Sequence, residues 1–327
     1  MANLPESLFG SEPPSSSSAG GVGASTSRTN TSTTLHGGDS SKLYLEQLII
    51  ALQDDHTREH ALDLLYKSMG VREDLALLLW HSCGTVFTLL KEIIAVYNLI
   101  STPNLTERVS IRVRNALALL ECVASHPDTR MLFIKAKIPA YLYPLLNNTN
   151  KEWPHERLRL NSLGVIGALV KAGDAEAFTF LIETQIFPCC LRCMEMGNEL
   201  SKTVATNIIH KILMQDEGLK YCCTRAQRFY AVGHALANMV EKLAEEPSQR
   251  LLKLIIDCYL RLSHSPRACD GLKFCLPTKL RDATIVNLLR DDPRAMGSLQ
   301  QLFHNVLIGH QSTKKPVAES LMHLIKG

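Results

Sequence analysis

Cysteine is the residue type whose spacing first suggests chemistry in this chain. Cys190-Leu191-Arg192-Cys193 has the C-x2-C interval of a zinc-ligand pair, with Cys189 beside it. A structural zinc site needs a second pair. The nearest, Cys222-Cys223, lies on an expected helix with no spacer between the two thiols. The expectation is buried thiols and no metal. The histidines are scattered, and His81, His126 and His264 fall near expected helix ends, where capping and turn roles prevail. There is no P-loop, no G-x-S-x-G elbow and no H-E-x-x-H; GGVGAS near the N-terminus lacks a preceding strand and a closing lysine. Without convergent polar groups, neither catalysis nor a cofactor is expected.

Charge offers a second kind of chemistry. Thirty-five basic residues against 32 acidic ones leave a net +3 over 327 residues, so any affinity for phosphates must come from local clustering. Candidates run from Lys151, Arg157, Arg159 and Lys171 through Lys202, Lys211, Lys220, Arg225 and Arg228 to Arg250, Lys253, Arg261 and Arg267. In a superhelix such positions can line one stripe. Acids are interspersed, among them Asp174, Glu176, Glu199 and Asp216, which fits a solvated face better. Aromatic residues are only 6% of the chain, so base-stacking platforms are scarce. Single-stranded nucleic-acid binding stays the alternative reading.

The elements that carry these residues are helical. Residues 1–40 are rich in Ser, Thr, Gly and Pro and cannot bury enough surface to offset their ordering entropy, so a disordered tail is expected there. It opens without a basic start followed by an apolar run, and no stretch reaches 18 uninterrupted apolar residues; neither a secretory signal nor a membrane span is expected. The ten cysteines then read as reduced thiols of a cytosolic or nuclear protein. From Lys42 onward, segments such as YLEQLIIALQ, EHALDLLYKSM, LALLLWHSCGTVFTLLKEIIAVY and NALALLECVAS space apolar residues at three and four. No alternating strand pattern of five residues stands out.

Asn115, Asn161 and Asn207 recur at intervals of 46 residues, and Asp128 and Asp174 keep the same interval in the turns that follow the first two. After each of those turns comes a short helix, then Ile138-Pro139 or Ile186-Phe187-Pro188, then another helix. A period in the forties with two or three helices per unit marks armadillo or HEAT arrays. The fold class expected is all-α: a right-handed helical-repeat superhelix of about six repeats over residues 41–312, with a helical or flexible extension at 313–327. RLRLNSLGVIGALVK (157–171) is apolar on nearly every face, so it should be an inner helix. Gly164 and Gly167 in its middle each cost roughly 1 kcal/mol of helix propensity, a sign of close packing or of space kept for a ligand.

LLLWHSCGTVFTLLKEI, RVRNALALLECVASHPDTR, RLRLNSLGVIGALVK, ELSKTVATNIIHKIL and RLLKLIIDCYLRLSHSPRA together resemble one family. It is the armadillo-like "required for cell differentiation" (Caf-forty-type) subunit of the CCR–NOT deadenylase complex, and the similarity runs from about Tyr44 to Asp292. The resemblance implies a non-catalytic adaptor, cytoplasmic and also nuclear. Such an adaptor docks on the large Not scaffold, takes short peptide or helical motifs from mRNA repressors, and so promotes deadenylation, translational repression and silencing. Homodimer formation is left open by the sequence, and with no apolar run long enough to span a bilayer no membrane contact is expected. Carried over by residue, scaffold docking falls on a helix containing His81, Cys83, Phe87 and Ile94; members commonly have Phe at Cys83 and a small residue at Phe87. A concave peptide groove falls on Arg157, Gly164 and Val204, with Arg157 where an aromatic is usual. A surface accepting tryptophan side chains falls on Arg228, Arg267 and Gly271, with Ala226 in place of the expected Tyr.

Overall fold

The computed structural model describes residues 36–70, 74–102, 104–243 and 245–308. Most of the serine-rich tail and the 313–327 extension lie outside these residues, although a helix opens at His36, within the stretch read as tail. Among the described residues the chain is helical throughout, and no strand occurs.

The helices fall into stacked units. A first unit supplies α1 (His36–Ala51) and α2 (Arg58–Ser68); a second supplies α3 (Leu75–His81), α4 (Thr85–Ala95) and α5 (Glu107–Ser125). The third holds α6 (Pro127–Lys135), a 3-10 turn at Ile138–Leu142 that runs into α7 (Tyr143–Asn147), and α8 (Trp153–Ala172). The fourth holds α9 (Ala175–Glu183), α10 (Ile186–Met196) and α11 (Glu199–Met214). The fifth holds α12 (Asp216–Thr224), α13 (Ala226–Lys242) and α14 (Gln249–Ser263); the sixth holds α15 (Pro266–Cys275), α16 (Ala283–Leu288) and α17 (Pro293–Ile308). The last helices of successive units pack side by side, α2 on α5, α5 on α8, α8 on α11, α11 on α14 and α14 on α17. A second ladder runs through α7, α10 and α13 and a third through α3, α6, α9 and α12. This is the all-α repeat superhelix expected from the 46-residue period, whose three asparagines sit on α5, α8 and α11.

Local sequence explains the breaks. The inner helices begin at side-chain caps: Thr106 accepts from the Val109 amide (3.3 Å), Asn198 from Ser201 (2.9 Å) and Ser248 from Leu251 (3.4 Å). Gly173, at φ +82°, closes α8 in the left-handed conformation. Between the first and second helix of three units the chain also turns left-handed, at Gly84, Lys137 and Gln185. The two non-glycine cases precede the Ile138-Pro139 and Ile186-Phe187-Pro188 signatures, so these signatures mark a strained corner and not only a helix start. The apolar run 75–96, which reads as continuous from sequence, is divided by the Gly84 corner into α3 and α4, at 87° to each other. Among the described residues no single helix is long and apolar enough to cross a membrane.

Helix α8 is the most enclosed element: His155 to Leu160 and Ser162 to Val170 are all buried, between α5, α11, α7 and α9. The helix begins four residues before the stretch expected, so Arg157 and Arg159 lie inside it. Their place in a solvated basic stripe is corrected accordingly. Arg159 is fully buried and ion-paired with Glu156 one turn earlier, and its guanidinium also donates to the Asn148 and Asn150 carbonyls (2.7 and 2.8 Å). The other Glu156 oxygen accepts from the Asn198 amide (3.0 Å). One buried pair thereby ties the chain before α8 to the start of α11. Removing one partner of a buried pair strands the other charge and costs about 3–5 kcal/mol. Glu156→Gln is expected to lower stability by about 3 kcal/mol, and Glu156→Leu with Arg159→Met by clearly less; urea unfolding midpoints of the two variants test this.

Candidate functional site

Three surfaces hold the residues singled out from sequence, and the first lies on the α3–α4 corner. His81, Cys83, Phe87 and Ile94 are all exposed there, Phe87 by 72% and Ile94 by 43%. The docking helix expected across 80–94 is thus corrected to two short helices and their turn, which bring the four residues to one end of the molecule. Positions 87 and 94 are two turns apart on α4 and share a face. Gln53 props the corner from α1's side: its amide donates to the Cys83 carbonyl (3.5 Å), and its oxygen accepts from Thr88 Oγ1 (2.9 Å). Exposed apolar side chains clustered on a buttressed turn mark an interaction site.

The second surface is the stripe of half-buried positions left along the last helices of the units. Gly164 and Val204 lie on α8 and α11 and are buried, while Asn161 and Asn207 beside them are half-buried. Arg157 is held inward: it donates to Ser110 Oγ (2.7 Å) and Glu107 (2.9 Å), and its guanidinium lies over the Trp153 ring. The neighbour that Gly164 spares is a side chain, not backbone. A Cβ built there would stand 2.7 and 3.5 Å from the two carboxylate oxygens of Glu121 on α5. Burial alone raises the Glu121 carboxyl to about 7. The nearest cations by sequence order on adjoining helices are committed elsewhere, Arg157 to Glu107 and Arg130 to Asp174. Further along the stripe, His210 on α11 is half-buried, and loss of solvent lowers its pKa against the opposing pull of Asp257 on α14.

The third surface divides in two. Ala226, Arg267 and Gly271 line a cavity of about 400 Å³ together with Phe229, Tyr230 and Phe274, the last 89% exposed. Gly271 is required by packing, since a Cβ would reach within 2.5 Å of the Phe229 ring. Arg228 does not join them. It lines a neighbouring cavity of about 610 Å³ with Phe187, Pro188, Leu191 and Tyr221, and its guanidinium already lies over the Tyr221 ring, 3.7 Å from the centroid. Sequence reasoning missed Glu121, Tyr221 and Phe274. A lone carboxylate inside the apolar run LALLECVAS was a visible signal for the first; nothing in the helical spacing marks the exposure of Phe274.

The remaining candidates are structural. Cys189, Cys190 and Cys193 are buried on α10, with burial pushing the Cys193 thiol up to about 12. Of the basic candidates, Arg159, Lys253 and Arg261 are engaged with Glu156, Asp292 and Asp216. The arrangement presents apolar and aromatic recesses.

Solved structures of similar fold define the class. A designed armadillo repeat protein, YIII(Dq)4CqI, superposes with a TM-score of 0.57 at 17% identity, over 80% of this chain and 99% of its own. Another, in complex with the peptide (KR)4, gives 0.54 at 18% over 80% and 99%. The fold is that of an armadillo-type helical-repeat protein. By sequence the chain belongs to the cell differentiation family, Rcd1-like, which it matches over residues 48–306. That match reaches beyond the Tyr44–Asp292 span first seen and takes in most of α17. "Cell differentiation protein rcd1" of Schizosaccharomyces pombe is 53% identical over 258 residues, 79% of this chain and 91% of that protein. "Protein CAF40" of Saccharomyces cerevisiae is 51% identical over 246 residues, 75% of this chain and 66% of that protein.

The raised carboxyl has a consequence for stability. Its folded pKa of about 7 exceeds the ordinary 4.5, so the folded state binds the proton more tightly than the unfolded chain. The stability this supplies is full below pH 4.5 and is lost as pH rises through 7. Glu121→Gln is expected to match the parent at pH 4.5 and to exceed it by about 1–2 kcal/mol at pH 8; urea midpoints across that range read it.

Proposed function

We propose that the chain is a non-catalytic adaptor subunit of a CCR–NOT-type deadenylase complex. It docks on the large Not scaffold through the α3–α4 corner and binds peptide motifs of mRNA repressors on its other surfaces, in the cytoplasm and also in the nucleus. Membership of the Rcd1-like family and about 50% identity to the rcd1 and CAF40 proteins support the assignment. The observation that carries the docking mode is the Phe87–Ile94 strip, which stays exposed among the described residues. Its two apolar side chains together are the size of an interface hot spot, where truncation costs 2 kcal/mol or more.

The peptide surfaces are supported by the aromatic-lined cavities of about 610 and 400 Å³ beside Arg228 and Arg267. Designed armadillo proteins of this fold also take extended peptides, as the (KR)4 complex illustrates. Pairing of Arg157, Arg159, Lys253 and Arg261 with acids weighs against the nucleic-acid alternative, because paired guanidinium groups and ammonium groups release few counterions.

Phe87→Glu and Ile94→Glu are expected to reduce co-purification with a fragment of the large Not subunit at least tenfold while leaving the melting temperature within a few degrees. Unchanged capture by both variants would refute the docking mode. Gly164→Trp, whose Cβ meets the Glu121 carboxylate first, is expected to retain scaffold capture and lose peptides of the stripe, provided its melting temperature stays near the parent's.

A further inference from the structure

Two cysteines that stand side by side in the sequence end up in different surroundings. Cys222 and Cys223 lie in the last turn of α12 as free thiols. Cys222 is fully buried, whereas Cys223 is half-buried and lines the cavity of about 400 Å³ with Phe229, Arg267 and Phe274.

The two thiols are hydrogen-bonded to each other. Burial decides which of them takes a negative charge: a thiolate at Cys222 would be cut off from water, while one at Cys223 faces the cavity. Cys222 is therefore the donor. A second donor comes from α15. Ser265 stands at the N-cap of that helix, yet its side chain makes no capping bond and is hydrogen-bonded to Cys223 instead. The Arg261 guanidinium adds positive charge, fixed in place by the Leu213 and Met214 carbonyls and by Asp216. The bond from Cys222, helped by Ser265 and Arg261, holds the Cys223 thiol below the usual cysteine range against the opposing effect of burial. The other half-buried thiols, Cys122 and Cys275, are pushed up by burial.

A stabilised thiolate with access to solvent is the condition for a nucleophilic cysteine. The cavity also discriminates between reagents. Asp270 on its wall is paired with Lys273, while the exposed Arg267 has no ion pair among the described residues. An anionic reagent is therefore favoured there.

We propose that Cys223 is a site of covalent thiol modification, forming a mixed disulfide with an anionic small-molecule disulfide such as glutathione disulfide drawn into the Arg267 cavity. The Cys223 thiolate attacks one sulfur of the reagent and the reagent's S–S bond breaks. A bond between Cys223 and glutathione forms, and the second glutathione leaves as a thiolate that takes a proton from water. The Cys223 sulfur is oxidised and the departing sulfur is reduced; the Cys222 thiol keeps its proton. Once attached, the glutathionyl group occupies the recess, so modification and entry of a partner side chain exclude one another. That consequence rests on the peptide-surface reading of this cavity, whereas the modification itself does not.

The full chain, reduced and then exposed to a small excess of glutathione disulfide at neutral pH, tests it by peptide mapping of the first adduct. Cys223 is expected to react about tenfold faster than the exposed Cys83. Ala226→Trp, at an exposed position on the cavity wall, is expected to slow the reaction of Cys223 several-fold and leave that of Cys83 unchanged. Arg267→Ala is expected to slow it with glutathione disulfide but not with uncharged hydroxyethyl disulfide. A first adduct on any other cysteine, or a Cys222–Cys223 disulfide in place of an adduct, would overturn the site. Indifference to Ala226→Trp, or an equal response of both reagents to Arg267→Ala, would overturn the part given to the cavity. A failure of the peptide reading alone leaves all of these rates as expected, so the two are told apart.

Discussion

Enclosure of α8 on nearly every side is the constraint from which the other features follow. A helix in that position can carry no free charge, yet the sequence places His155, Glu156, Arg157 and Arg159 in its first two turns. Most of their polar atoms are paired within the fold, His155 Nδ1 and Arg159 Nε excepted. Glu156 and Arg159 neutralise one another and spend their remaining hydrogen bonds on the Asn198 amide and on the Asn148 and Asn150 carbonyls. Arg157 reaches back to α5 for Glu107 and Ser110. Burial lowers the pKa of His155, with Arg159 acting in the same direction and Glu152 against it. These bonds join α8 to the helix before it and the helix after it in the ladder, so polar groups that would otherwise oppose burial fix the register of three units. The favourable term is still apolar area; the ion pair sets which arrangement buries it.

The same accounting separates scaffold from surface. Leu, Ile, Val and Cys side chains of the last helices are almost all buried, as expected where each helix touches a neighbour on both flanks. Large apolar side chains that remain exposed occur on several helices, among them Ile50 on α1, Phe87 and Ile94 on α4, Tyr230 on α13, Phe274 on α15 and Leu307 on α17. An exposed apolar side chain adds nothing to the stability of a stacked array, so the exposure of Phe87 and Phe274 is what the docking and peptide-surface proposals draw on. Glu121 is the polar counterpart: a half-buried carboxylate, packed against the Gly164 backbone, whose charged form burial disfavours.

Much of the architecture was legible because repetition writes itself into spacing. Asn115, Asn161 and Asn207 marked three inner helices, and the all-round apolar character of 157–171 located the most buried of them. Conformations that do not depend on a tell-tale residue stayed hidden. Lys137 and Gln185 adopt left-handed backbone without being glycine, and the Gly84 corner sits within a run whose apolar periodicity continues on both sides. Charge was the least legible property. Arg159 is basic by composition and fully buried in fact, because its partner Glu156 is three residues away and its carbonyl acceptors lie in the preceding loop. Arg228 and Arg267 were grouped together from the family pattern, but they line different cavities, a division set by how α12 and α15 flank α13.

Placement of the surfaces on different layers bears on how they work together. The α3–α4 corner belongs to the first and second helices of one unit, the stripe to the last helices of several, and the aromatic cavities to α10, α12, α13 and α15. In a stack where each unit touches only its neighbours, an occupant of one surface need not distort another, and contacts that share no residues tend to be additive in free energy. Gly164 and Glu121 are the exception in kind, because they couple two adjacent units across one contact: anything that settles on α8 there must move or engage a side chain from α5. An occupant at that point alone among the three surfaces therefore reports on the packing of the ladder itself, and its affinity must include the work of re-seating a carboxylate that burial already disfavours.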